Sequence, residues 1–220
     1  MLMRSRKTNK RYRGYRASGF SLIEMVTVLA LTIVLSVISV ITLVPLMNAQ
    51  HVTNAYNTTL AALRQARDNA VSQRTSYEVS FTQTTTAPIT TTISVLPTLA
   101  GFQGDQSTVN YQFPSDVFFV TPPSGTPAPD NYGTGAYNVD FGYTANSSAG
   151  GSTTIYFCPD GSAQTSSSCS GAGMWDGGVV YMGRTGDNLS ERAVTLYGGT
   201  GRIHGWRLYP NGGNYQWLRQ

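Results

Sequence analysis

Residues 19–47 read GFSLIEMVTVLALTIVLSVISVITLVPLM. From Met25 to Met47 the run holds 23 residues without a charge. As an α-helix at 1.5 Å per residue it reaches roughly 35 Å, enough to cross a bilayer core of about 30 Å. Secretory h-regions are shorter, about 7–15 residues, and no convincing small-residue cleavage site follows this run. One carboxylate, Glu24, stands at its head. An ionised carboxylate inside a span costs at least ~2.5–3.5 kcal/mol, so it needs either water or a partner.

Upstream lie Arg4, Arg6, Lys7, Lys10, Arg11, Arg13 and Arg16, with no acid among them. The positive-inside rule therefore places the N-terminus in the cytoplasm and everything after Met47 on the far side. The pI of 9.1 belongs to this leader. Without residues 1–19, eight Lys and Arg face eleven Asp and Glu, a balance of −3, so the basic pI says nothing about a nucleic-acid-binding body. Pro45, in the last turns of the span, is expected to bend the helix there.

Beyond the span, Val52, Tyr56, Leu60, Leu63, Ala66 and Ala70 recur at three- to four-residue steps, with Val71 beside them. This spacing predicts an amphipathic helix over 48–75 with one stripe for a core. From Ser76 the pattern turns to strands. Ser76 to Phe81 alternates, a threonine-rich stretch runs from Thr82 to Thr92, and Ile93 to Leu96 follows. Phe113 and Val117 to Val120 flank a Pro-Ser-Asp turn. Four prolines, Pro122, Pro123, Pro127 and Pro129, open a stretch punctuated by Gly and Ser. Residues 121–152 are therefore expected to form a long surface loop with one short strand near Tyr137 to Tyr143. Thr153 to Phe157, Val179 to Met182, Arg192 to Tyr197 and Ile203 to Tyr209 read as further strands, the last two joined by a Gly198-Gly199-Thr200-Gly201 turn. The expected class is α+β: a long N-terminal helix, half membrane-spanning and half amphipathic, packed on an antiparallel sheet over 76–220.

Gly19-Phe20-Ser21-Leu22-Ile23-Glu24 after a basic leader resembles the prepilin signal of type IV pilins and type II secretion pseudopilins. The resemblance implies cleavage after Gly19 by a prepilin peptidase and N-methylation of the new first residue, Phe20. It also implies an assembly role for Glu24, fifth in the mature chain, against the amine of a neighbouring subunit. A pilin-like fold is implied, with lipid and other pilins as partners. The chain would start as a single-pass protein of the bacterial inner membrane and end in a periplasmic pseudopilus or a surface pilus. Leu63, Ala66, Arg67, Ala70 and Arg74 resemble the helix pattern of the GspH/FimT family. Phe157, Pro159 and Gly161 resemble its Phe-x-Pro-x-Gly turn, and residues 191–203, ERAVTLYGGTGRI, its C-terminal hairpin. The likeness covers 17–81 and 153–204 and leaves 82–152 unmatched.

Cys158 and Cys169 enclose ten residues, and in an exported domain such a pair reads as a disulfide. Free thiols are the alternative. A metal site would need further ligands, and no histidine lies nearby in sequence. No nucleophile elbow, phosphate-binding loop, His-Glu-x-x-His or Cys-x-x-Cys occurs, so a non-enzymatic protein without cofactor or metal is expected.

Two functions compete. One is a structural subunit of a pilus or secretion pseudopilus. The other is a DNA-binding minor pilin for natural transformation. Some FimT-like proteins bind DNA through Gly-Arg-x-Arg; the matching positions here are Gly201-Arg202-Ile203-His204, with histidine in place of the second arginine. Arg202, His204 and Arg207 are the candidate contacts, and Trp206, Tyr215 and Trp217 are candidate stacking platforms.

Overall fold

The computed structural model describes residues 19–98, 107–143, 150–169 and 176–220; the leader expected over 1–19 lies outside them up to residue 18. The chain divides into two compact units, Met1–Val44 and Pro45–Gln220. One helix, α1 (Leu22–Gln73), runs through the boundary.

In the first unit α1 is apolar on every face, and each residue from Gly19 to Val44 is exposed, as are Pro45 to Met47 beyond it. The helix is long and apolar enough to cross a membrane. Its hydroxyls are turned onto its own backbone. Thr27 donates to the Glu24 carbonyl (2.9 Å), Thr32 to Leu29 (2.8 Å), Ser36 to Thr32 (2.7 Å), Ser39 to Leu35 (2.9 Å) and Thr42 to Ile38 (3.2 Å). Each of these hydroxyls is thereby satisfied without water, the condition a helix in hydrocarbon must meet.

In the second unit α1 buries Val52, Ala55, Tyr56, Thr59, Ala62, Leu63, Ala66 and Ala70. The expected stripe is present with two changes: Leu60 is half-buried and Val71 is 45% exposed. Small residues at 55, 59 and 62 occupy the centre instead, and they let the helix approach the strands closely.

The strands form two antiparallel sheets rather than the single sheet expected. The first contains β1 (Ser76–Gln83), β2 (Thr91–Thr98), β3 (Val109–Gln112), β6 (Thr154–Phe157) and β7 (Ala163–Gln164), in the order β3-β2-β1-β6-β7. The second is a meander, β11-β10-β9-β8, of β8 (Gly177–Arg184), β9 (Asp187–Tyr197), β10 (Arg202–Asn211) and β11 (Asn214–Arg219). On the far side of β8 pair β4 (Phe118–Phe119) and then β5 (Val139–Tyr143).

Alternate residues of both sheets enter one core with α1: Val79, Phe81, Ile93, Ile155, Phe157, Val180, Met182, Val194 and Leu196. Phe81 meets Phe119 at 5.8 Å and Phe141 at 5.4 Å between ring centroids, which knits the two sheets together.

The second sheet is buried on its other face as well. Val179, Tyr181 and Ala193 form a smaller cluster under Tyr132, Trp206 and Trp217. The described part of 121–152 runs mostly over the surface, as expected, and reaches this face through the half-buried Tyr132. The short strand sits where expected, but Val139, Asp140 and Phe141 are buried. Asp140 has no exposed surface. It accepts from Gly151 N (2.6 Å), the Tyr143 hydroxyl (3.1 Å) and Thr134 N (3.4 Å). One buried carboxylate, on the expected short strand, thus gathers the loop residues around it.

Candidate functional site

At the head of α1, Ser21 Oγ accepts the Glu24 backbone N–H at 3.2 Å. Helix begins at Leu22, so Ser21 is the N-cap and Glu24 the third helical residue. Ser-Leu-Ile-Glu has the capping-box order, and its carboxylate sits where the N-terminal helix dipole favours negative charge. Phe20 is 76% exposed, and Gly19 has open space around its Cα. The Glu24 carboxylate is exposed, with no ion-pair partner among the described residues.

The three loosely patterned segments downstream converge at one place. Arg67 of α1 donates from Nε to the Gly161 carbonyl at 3.3 Å. Gly201, in the β9–β10 turn, has φ +60°, and a Cβ there would overlap the Gly161 carbonyl oxygen and press on Arg67. Only glycine fits both the left-handed backbone and the close approach. The Gly161 turn is built locally: Gly161 N donates to the Cys158 carbonyl (2.9 Å) and Cys158 N to the Ser162 carbonyl (2.8 Å). Asp160 Oδ1 accepts the Ser162 hydroxyl (2.6 Å) and N–H (2.9 Å), and these bonds hold its carboxyl below the usual range. Cys158 is disulfide-bonded to Cys169, with 5.7 Å between Cα atoms.

The candidate DNA contacts are not brought together. Strand alternation sends Arg202 and His204 to one face of β10 and Arg207 to the other. Arg202 and His204 line a groove of about 900 Å³ with Arg64, Arg67, Asp68 and Asp130. His204 Nδ1 lies 3.0 Å from Asp130 Oδ2, so its nearest charge is an acid. Asp130 Oδ2 also accepts the Thr195 hydroxyl (2.7 Å), whose oxygen accepts Trp206 Nε1–H (2.9 Å). Trp217 packs on Tyr181 at 5.5 Å between centroids. Both tryptophans are thus committed to the outer cluster. Tyr215 accepts a long bond, 3.4 Å, from Asn188 Nδ2.

Two features had no sequence signal. Glu191, 4% exposed, has an Oε2 without a hydrogen-bond partner; burial, then the Asp187 charge, pushes its carboxyl up to about 8. Arg192 and Arg207 face each other across β9 and β10. Strand register, which pairs them, is not readable from either segment alone. Among the described residues no cluster of three or more His, Cys, Asp or Glu side chains is placed to hold a metal. Comparison with family models, curated proteins and solved structures gave no match.

Proposed function

We propose that the chain is a structural minor pilin or pseudopilin, a subunit of a type IV pilus or a type II secretion pseudopilus. The observation that carries this reading is Glu24. It stands in the first turn of a fully exposed apolar helix, four residues after Phe20. Cleavage after Gly19 leaves a cationic amine on Phe20. Beside the apolar helix of a neighbouring subunit, that amine and Glu24 neutralise each other in low dielectric, where a pair is far better than two separate charges. The apolar surface of α1 then packs against its neighbours, and the sheet domain faces outward.

The meeting of Arg67, Gly161 and Gly201 lends weight to the GspH/FimT likeness, since the three motifs that carry it form one contact. The DNA-binding alternative has less support: Asp130 faces His204, and Arg207 lies on the opposite side of the strand. Mass spectrometry of the mature N-terminus is the direct test. A chain that begins with N-methylated Phe20, and a Glu24→Ala variant that is processed but fails to enter filaments, are the expected results. A mature chain beginning elsewhere would remove the reading.

A further inference from the structure

Arg192 on β9 and Arg207 on β10 are direct partners in the antiparallel register. Opposed residues share a face, with Cβ atoms about 4.5–5.5 Å apart, and like charges so placed repel. Arg192 is 7% exposed; Arg207 is half-buried, its Nε buried without a hydrogen-bond partner among the described residues. Among the described residues, Arg192 Nη1 donates to the carbonyls of Ser190 (3.1 Å) and Glu191 (3.2 Å). The Arg207 guanidinium lies over the Tyr209 ring, 5.2 Å from its centroid. Neither arginine has a carboxylate within ion-pair distance among the described residues. Arg184, in the same groove, differs: Asp116 Oδ2 neutralises it at 3.0 Å. Burial and the charge of Arg207 push the Arg192 guanidinium below its ordinary value. A buried and a half-buried cation side by side are costly unless an anion completes the arrangement.

The position of the pair identifies the anion. Their groove is walled by Pro45, Asn48, Ala49 and Val52 of α1. The uncharged run ends at Met47. Asn48 and Ala49 thus follow within one helical turn, at the level where hydrocarbon gives way to headgroups. Asp187 also lines the groove, but among the described residues it makes no ion pair with either arginine; Leu189, 51% exposed, offers an apolar contact beside the charges. We propose that Arg192 and Arg207 form a binding site for the phosphate of an anionic phospholipid, in the leaflet on the side of the folded domain. Guanidinium forks bind phosphate oxygens in pairs and tolerate partial burial better than ammonium groups. The site needs only that residues 20–47 cross a bilayer, and it stands whether or not the chain enters a filament.

Native mass spectrometry of the full chain in detergent, titrated with phosphatidylglycerol or phosphatidylcholine, tests it. The wild type should retain phosphatidylglycerol and shed phosphatidylcholine. Arg207→Gln should weaken retention by about tenfold, the loss of one charge-assisted contact of roughly 1.5 kcal/mol. Arg202→Gln, which removes an arginine from a different groove, should leave retention unchanged. Equal retention of the two lipids, or undiminished retention by Arg207→Gln, would overturn the site. Displacement of phosphatidylglycerol by millimolar inorganic phosphate would overturn the lipid as its source. The comparison of lipids on the wild type needs no variant, so it decides the matter even if Arg207→Gln does not fold.

Discussion

The Tyr56 hydroxyl of α1 lies directly over Gly205 of β10, where any side chain would overlap it. A helix carrying a bulky Tyr56 docks flat on the sheet only because the opposing residue has no Cβ. Gly205→Ala should therefore destabilise the sheet domain by about 1–3 kcal/mol, the usual range for overpacking. Chemical denaturation followed by tryptophan fluorescence measures it. Tyr56→Phe in the Gly205→Ala background should recover part of the loss, because it removes the overlapping oxygen.

Gly201 is constrained twice, by φ +60° and by contact with Gly161 and Arg67. Gly201→Ala should cost more than Arg67→Ala, which removes one hydrogen bond worth about 0.5–1.5 kcal/mol. Thermal unfolding of both variants in detergent gives the order directly. An Arg67→Ala loss exceeding that of Gly201→Ala would show that the glycine contact matters little.

The disulfide closes a loop between residues 11 apart in sequence. In the chain-entropy account, so short a loop contributes about 2–3 kcal/mol. Reductant should lower the Tm of the wild type and leave a Cys158→Ser, Cys169→Ser variant unaffected. Intact mass under both conditions verifies the bond itself.

Glu191 makes stability depend on pH. Its folded value, about 8, lies above the ordinary 4.5, so the native state holds a proton that the unfolded chain has released. Between these limits stability falls as pH rises, by up to ~1.4 kcal/mol per pH unit, and it levels off above pH 8. Below pH 4.5 the effect is absent. Glu191→Gln should flatten this slope, so the variant gains on the wild type from pH 5 to pH 8. Parallel pH profiles for the two proteins would refute the assignment.

The sequence made the helix, its amphipathic half and most strands legible, because each has its own period: 3.6 through Val52, Tyr56, Leu63 and Ala70, and 2 through Ser76 to Phe81. It did not reveal that the strands divide into two sheets. That division depends on pairings such as Tyr77 with Phe157, which no local pattern encodes. Both faces of β9 are covered: Ala193 and Thr195 are buried as fully as Val194 and Leu196. The cause is a cover made by Asp130 and Tyr132 of the proline-rich segment together with Trp206 and Trp217. Prolines and glycines announce an irregular backbone, not whether that backbone is covered. At the candidate site, Gly19, Phe20 and Glu24 were legible as a contiguous motif. The Arg192–Arg207 pair was not, because it arises from register between two strands.

The junction of Arg67 with Gly161 joins residues 94 apart, and Gly201 enters from still later in the chain. Contacts of such separation form slowly, since long stretches of chain must close before any reward arrives. α1 cannot seat fully on its sheets until the C-terminal hairpin exists. On the proposed reading of its first helix as a membrane span, the newly made chain is tethered while it waits for its last strands. Exposed β-rich segments in that interval are prone to aggregate. On that reading, the tether that would anchor the finished protein also confines its unfinished copies to a surface, out of bulk water.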